Sequence, residues 1–284
     1  MASQERAMPF IKNLASSDRK LRTSALTSLH TFLSAKHISS ALSPIDILKL
    51  WKGLFYAVWM CDRPIPQQKL CAELADLIYI LPRDAVVPWV RGFWATMSRE
   101  WTSIDVLRME KFLLLVRRVV GAGFKWMKTG GQNDNRGDAP WDADRVSDTL
   151  RLLTEWPFSP SEEAELPAGP EKDNESLAPQ TIPVGMKIHV LDIWVDEAEK
   201  VGLLDEDDEE ASKILQQISE HVDKLEQKTT SPAVRVRSKE SLADDRLPAS
   251  KMGASIAKAT AKDTEMADDG DGDGDCASWD GFDD

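Results

Sequence analysis

The sequence predicts an all-α protein, a HEAT- or armadillo-like stack of antiparallel helices followed by a disordered acidic C-terminal tail. Three observations predict it. From Pro9 to Met127 apolar residues recur at helical spacing, with Pro, Ser, Thr or Asp at each interruption. Nowhere does an alternation of apolar and polar residues between hairpin turns mark a strand. After about Thr229 the apolar density falls, and beyond Lys262 no basic residue remains down to DGDGDCASWDGFDD. Consecutive helices of about 15 to 20 residues joined by short loops can bury their faces pairwise in a stack. No strict repeat is visible in the residues, so an irregular helical bundle stays open as the alternative.

Six helices are expected before Lys128. The first is short and covers PFIKNLAS; the second starts near Asp18, whose carboxylate can cap free amides, and places Leu21, Ala25, Leu29 and Leu33 on one buried stripe. The third opens on Ser43 and Pro44, a cap followed by a proline preset for the first turn, and sets Trp51, Phe55 and Trp59 on one face. The fourth follows Pro64 and Pro66. The fifth follows Pro82, with Pro88 tolerable only near its first turn. The sixth runs from Ser103 to Lys128, and Gly121 and Gly123 are expected to weaken its last turns.

A polar loop precedes a seventh helix from Asp142 to Trp156, which Pro157 ends. Residues 157–182, rich in Pro, Glu, Ser and Ala, read as a flexible linker. Helical signal returns after Pro183 and again from Glu209 to Lys228. The expected organisation is therefore a basic helical-repeat domain over 1–156, a linker over 157–182, further helices over 183–228 that pack on or extend the array, and a disordered tail over 229–284.

The net charge of -13 hides a division along the chain. The first 128 residues carry 19 Lys and Arg against 10 Asp and Glu, and the rest carries 16 against 38. The folded part reads as basic and the tail as acidic. Cys61, Cys71 and Cys276 are too few and too scattered for a disulfide framework or a zinc site, which favours a reducing compartment. No apolar run behind a basic start marks a leader, and no window approaches the roughly 18 apolar residues of a membrane span. A secreted or membrane-embedded protein is not expected.

The block KLWKGLFYAVWMCDRPIPQQKLCAELADLI, from Lys49 to Ile78, resembles the signature of the nucleolar ribosomal RNA-processing protein one family. EWTSIDVLRMEKFLLLVRRVV, from Glu100 to Val120, is similar to that family's long central helix. PVGMKIHVLDIWVDEAEKVG, from Pro183 to Gly202, is similar to its later helix with a His-x-x-Asp-x-Trp/Tyr pattern. The likeness spans roughly residues 8 to 202 in one order, while the acidic end departs from the long basic extension of animal members. The resemblance implies a nucleolar helical-repeat protein that joins precursors of the large (60S) subunit and is required for processing of their RNA. It implies precursor ribosomal RNA, assembly factors and ribosomal proteins as partners, and no catalytic activity.

Phosphate binding needs clustered cations on one surface of a rigid support. The candidate RNA-binding residues are Arg19, Lys20 and Arg22 on the second helix, and Arg108, Lys111, Arg117, Arg118, Lys125 and Lys128 on the sixth. Lys111, Arg118 and Lys125 repeat every seven residues, which keeps them within a narrow stripe. The bland alternative for any one of them is an ordinary solvated face. The aromatic residues Trp51, Phe55, Trp59, Trp89, Phe93 and Trp101 could stack on unpaired bases, but their spacing alongside Leu and Val reads as core.

Asp269 to Asp280 partly copies a calcium loop, without flanking helices and with Asp at the twelfth place, so no metal site is expected there. His30, His37, His189 and His221 stand in no nucleophilic constellation, and His189 with Asp192 reads as a locked core imidazole. No nucleotide, dinucleotide, zinc-protease or hydrolase motif occurs, so no enzyme, cofactor or small-molecule substrate is expected. Arg235 to Lys239 and Lys258 to Lys262 are sparse nuclear-import candidates. The expected function is a non-catalytic assembly factor that binds precursor ribosomal RNA, with a purely protein-binding helical scaffold as the alternative.

Overall fold

The computed structural model describes residues 10–35, 42–130, 139–163 and 181–248. The helices are α1 (Phe10–Leu14), α2 (Arg19–Ser34), α3 (Pro44–Trp59), α4 (Pro64–Asp76), α5 (Arg83–Glu100), α6 (Val106–Trp126), α7 (Ala143–Glu155), α8 (Val184–Lys200), α9 (Glu209–Lys228) and α10 (Pro232–Leu242). Short 3-10 turns, Leu77–Tyr79 and Trp101–Ser103, follow α4 and α5. Among the described residues there is no strand, only isolated bridges that pair Lys128 with Trp141 and Glu163 with Thr181.

Local chemistry starts these helices where the spacing places them. Asp18, Asp105, Asp142 and Asp208 each accept a hydrogen bond from an amide in the first turn they precede. Ser43 and Asp46 form a reciprocal capping box at α3. Each such cap is worth about 1 kcal/mol. Helix α8 ends in the opposite device: Gly202 adopts φ +83°, and the amides of Gly202 and Leu203 return to the carbonyls of Glu199 and Ala198.

Packing then sorts the helices into two rows. Helices α1, α3, α5, α7 and α9 contact one another in succession, and α4, α6, α8 and α10 do the same. Helix α2 packs on α1, α3 on α4 and α9 on α10. This is the two-layer logic of a helical-repeat stack, and the described residues up to Leu242 belong to one compact unit. The described residues 243–248 fall in a second unit, in which Arg246 pairs with Asp244 at 2.7 Å.

The core of the first row is aromatic. Trp51 lies 4.9 Å from Trp89 and 5.1 Å from Phe93, its indole N–H donating to the Trp89 carbonyl at 2.9 Å. Phe55 stacks on Phe112 at 4.5 Å. Trp51, Phe55, Trp89, Phe93 and Trp101 are all buried and Trp59 is half-buried, as the core reading expects. Gly92 lets α5 approach α3 closely: a Cβ there would lie 2.4 Å from Ile47.

Several expectations are corrected. Leu21 is 47% exposed although Ala25, Leu29 and Leu33 on its stripe are buried, because α2 packs chiefly on the five-residue α1 and its first turn overhangs. Pro88 is the sixth residue of α5 and the helix continues through it, its neighbours Val86, Val87 and Trp89 being buried. Tertiary packing there outweighs the lost backbone bond. Helix α6 begins at Val106, after the Asp105 cap, and Gly121 does not interrupt it. A Cβ at Gly121 would lie 2.6 Å from a carboxylate oxygen of Glu197, so this glycine serves the α6–α8 contact.

Residues 232–242 were expected to be disordered and instead form α10, with Val234, Ser238 and Ser241 buried. Its composition is polar because it needs only a thin stripe against α8 and α9. The expected linker is ordered at its base. Phe158 is buried, Ile182 N–H donates to the Glu162 carbonyl at 2.8 Å, and Lys187 Nζ donates to the carbonyls of Ser159 and Ser161 at 2.6 and 2.7 Å. Residues 164–180, the calcium-like run and Lys258 to Lys262 lie outside the described residues.

Candidate nucleic-acid interface

The nine candidate cations separate into two groups. Lys111 is 4% exposed, and its Nζ donates to the carbonyls of Trp59 at 2.7 Å and Cys61 at 3.2 Å while pairing with Asp62 at 3.2 Å. These carbonyls end α3, where four acceptors have no helical partner and the helix dipole is negative. The ammonium fills that end, so the expected outward stripe of Lys111, Arg118 and Lys125 is not formed. The sevenfold spacing is correct, but the first turns of α6 lie against α3 and α4.

Four others are also committed to the fold. Arg22 donates to the carbonyls of Ser16, Ser17 and Met60. Arg108 pairs with Asp105 and lies 5.0 Å over the Trp59 ring. Arg117 bridges α6 to α8, with Nε 2.6 Å from Glu197 and Nη2 2.9 Å from Asp196. Lys128 is buried, its Nζ 4.5 Å over the Trp141 ring.

Arg19, Lys20 and Arg118 are exposed and Lys125 half-exposed, and among the described residues no carboxylate stands within ion-pair distance of any of them. At the α1–α3 end sequence reasoning missed two further exposed lysines, Lys12 and Lys52. A signal for them existed. Described residues 10–60 hold six cations and two carboxylates, Asp18 and Asp46, and both carboxylates cap helices. Of these six, Lys12, Arg19, Lys20 and Lys52 are exposed with no carboxylate at ion-pair distance among the described residues, and they give the α1–α3 end its positive charge.

The opposite end reverses the sign. Described residues 10–130 hold 17 cations against 9 acids, whereas 139–163 with 181–242 hold 10 against 20. The expectation of a basic folded part and an acidic tail is corrected accordingly: the folded array is itself polarised, and its described part from 139 to 242 is acidic in sum although α10 carries three cations against one acid.

Several other ionisable groups serve as clasps. His189 Nε2 lies 2.9 Å from the Leu113 carbonyl, and burial pushes its pKa down. Asp192 pairs with Arg237 at 2.9 Å, and Trp194 Nε1 donates to Ser241 Oγ at 2.6 Å. The His-x-x-Asp-x-Trp pattern thus ties α8 to α6 and α10. Arg235, Arg237 and Lys239, the first import candidate, lie on α10. Burial, with Cys61 adding to it, pushes the Cys71 thiol up to about 12, and burial pulls the Lys187 ammonium down to about 8. Among the described residues no group of three or more His, Cys, Asp or Glu could hold a metal ion. No helix among them is long and apolar enough to cross a membrane.

Stacked helices, internal charge clasps and two ends of opposite sign define a helical-repeat array that offers surfaces. The sequence matches the family model described as "Nucleolar protein, Nop52" over residues 5–277, and the chain belongs to this family. It is 31% identical over 205 residues to the human "Ribosomal RNA processing protein 1 homolog B", covering 71% of this chain and 23% of that protein. It is 32% identical over 194 residues to the mouse "Ribosomal RNA processing protein 1 homolog A", covering 67% of this chain and 34% of that one. A Caenorhabditis elegans "Ribosomal RNA processing protein 1 homolog" is 36% identical over 126 residues, covering 42% and 32%. The chain thus spans about a quarter to a third of the length of these relatives.

Proposed function

We propose that this chain is a non-catalytic nucleolar assembly factor of the large (60S) ribosomal subunit precursor, required for processing of its RNA. Its array lies on folded precursor ribosomal RNA through phosphate contacts and holds assembly factors and ribosomal proteins on its other surfaces. Family membership and the names of the relatives support the setting.

The observation that carries the RNA contact is the α1–α3 end, where Lys12, Arg19, Lys20 and Lys52 are exposed and the two carboxylates, Asp18 and Asp46, are already used as caps. Phosphates bind where cations are exposed, uncompensated and fixed on rigid helices. Arg19, Lys20, Lys12 and Lys52 fit that description, and Arg118 with Lys125 forms a second, smaller spot on α6. Lys111, Arg117, Arg108, Lys128 and Arg22 act by holding these helices in place. Backbone and shape contacts of this kind grip a folded RNA without reading much sequence.

The test is the affinity for a large-subunit precursor RNA fragment at several salt concentrations. Charge reversal of Lys12, Arg19, Lys20 and Lys52 together should weaken binding and flatten the salt dependence, each lost phosphate contact removing roughly 0.7 to 0.9 from the log–log slope. Reversal of Arg118 and Lys125 should do so to a lesser degree. An unchanged slope in both variants would reject RNA contact by this array and leave the protein-binding scaffold, whose basic end meets acidic protein segments.

A further inference from the structure

Large apolar side chains that stand exposed among the described residues are Leu21, Met60, Ile65, Val106, Leu107 and Val236. Single exposed apolar residues are ordinary. Five of these six, however, come from one edge of the stack, where α2, α4 and α6 begin and α3 ends. Arg22 draws the start of α2 to this edge through the Met60 carbonyl. Lys111 draws the start of α6 to it through the Trp59 and Cys61 carbonyls. A hollow of about 260 Å³ opens between Leu107, Asp62 and Gln67. Ile65 lies between the latter two in sequence.

The exposures there are extreme: 82% for Ile65, 88% for Val106 and 93% for Leu107. Side chains so exposed add almost nothing to the fold, and a contiguous apolar patch on a soluble surface marks a place of contact. The rim is cationic. Arg19, Lys20 and Arg63 are exposed there, while Asp62 is held by Lys111, Asp105 by Arg108 and Asp18 by the α2 amide it caps, which leaves Glu110 as a facing carboxylate.

We infer that this edge, formed by Met60, Ile65, Val106 and Leu107 with Arg19 and Arg63 at its rim, docks a segment of a partner protein that carries large apolar side chains flanked by Asp or Glu. The side chains at its centre are aliphatic and offer neither charge to phosphates nor rings to bases, so RNA is the poorer occupant. A second copy in an isologous contact would set the same cationic rim against itself. An acid-flanked apolar segment satisfies both the centre and the rim. The inference deepens the assembly-factor reading by giving the chemistry of one protein partner, and it does not depend on the RNA contact.

The experiment places the photoreactive residue benzoylphenylalanine at position 107 or 65 of the full chain in its own cells, with position 236 on α10 as the comparison site. Crosslinked peptides are then sequenced by mass spectrometry. The expected result is one partner segment, recovered from both edge positions and not from 236, with apolar residues within a few places of Asp or Glu. Its recovery from position 107 should fall about ten-fold when Ile65→Asp is added, and fall also with Arg63→Glu, neither being a residue assigned to the RNA contact. An adduct to RNA, to a second copy, to a segment without acidic flanks, or no adduct at all would overturn the inference. So would a lowered melting midpoint for the Ile65→Asp, Leu107→Asp variant, because the patch would then be structural. In that same variant the affinity for precursor RNA in vitro should stay unchanged, which separates failure of this inference from failure of the RNA reading.

Discussion

Helix α2 carries Arg19, Lys20 and Arg22 in its first turn, and α6 carries Lys111, Arg117 and Arg118 along its middle. The two helices have similar cation content and similar amphipathic spacing, yet they spend their charge differently. On α6, Lys111 and Arg117 are drawn into contacts with α3 and α8 because that helix is flanked by neighbours within its own row and across the stack. On α2 only Arg22 is drawn in, because the helix lies at the end of the array. A cation is available to a polyanion only if no carbonyl or carboxylate of the fold has already satisfied it.

The sharpest way to break this comparison is Lys111→Met. It removes the partner of two helix-end carbonyls and should cost about 3 kcal/mol in urea denaturation, although the exposed Asp62 adds little to that figure. A neutral outcome would return Lys111 to the surface stripe and undo the contrast. Gly92→Ala tests the contact that holds α5 on α3. With Ile47 only 2.4 Å from the new Cβ, it should cost about 2 kcal/mol by the same measurement.

Lys187 gives a test through pH. Burial lowers its pKa from 10.5 to about 8, so below pH 8 both folded and unfolded states hold the proton. As pH rises from 8 towards 10.5 only the unfolded state still holds it, and the folded state gains stability from this group. The stability difference between wild type and Lys187→Met should therefore widen across that window. The opposing loss from Cys71, whose raised pKa removes stability from about pH 9 upward, is common to both proteins and cancels. On the acid side, the lowered pKa of His189 predicts stability that is present above pH 6.5 and lost as pH falls further. His189→Gln should flatten that acid limb. The smallest stability effect belongs to the surface: Arg118→Glu with Lys125→Glu should change unfolding free energy by less than about 0.5 kcal/mol while weakening RNA binding.

The all-α class, the helix starts and the aromatic core were legible in the residues. Asp18 and Ser43 announce their helices because a cap is a contact within one turn. Trp51, Phe55, Trp89 and Phe93 announce burial because aromatic rings at helical spacing have few other uses. Helix α10 was not legible, since the polar run from Pro232 to Leu242 buries only a thin stripe that α8 and α9 provide. The candidate site was half legible. Arg19, Lys20, Arg118 and Lys125 do stand at the surface, but nothing in a sevenfold repeat tells that Lys111 points at the end of another helix.

By itself the sequence determined where most helices before Lys228 lie, which aromatic residues avoid water and how charge is divided along the chain, because caps, periodicity and composition act within a turn or two. The tertiary structure alone decided which cations are spent on carbonyls and carboxylates, and which apolar side chains are left outside at one edge. Those outcomes depend on neighbours 50 to 80 positions away in the chain, as the Lys111–Cys61 and Arg117–Glu197 pairs show. No local pattern carries that distance.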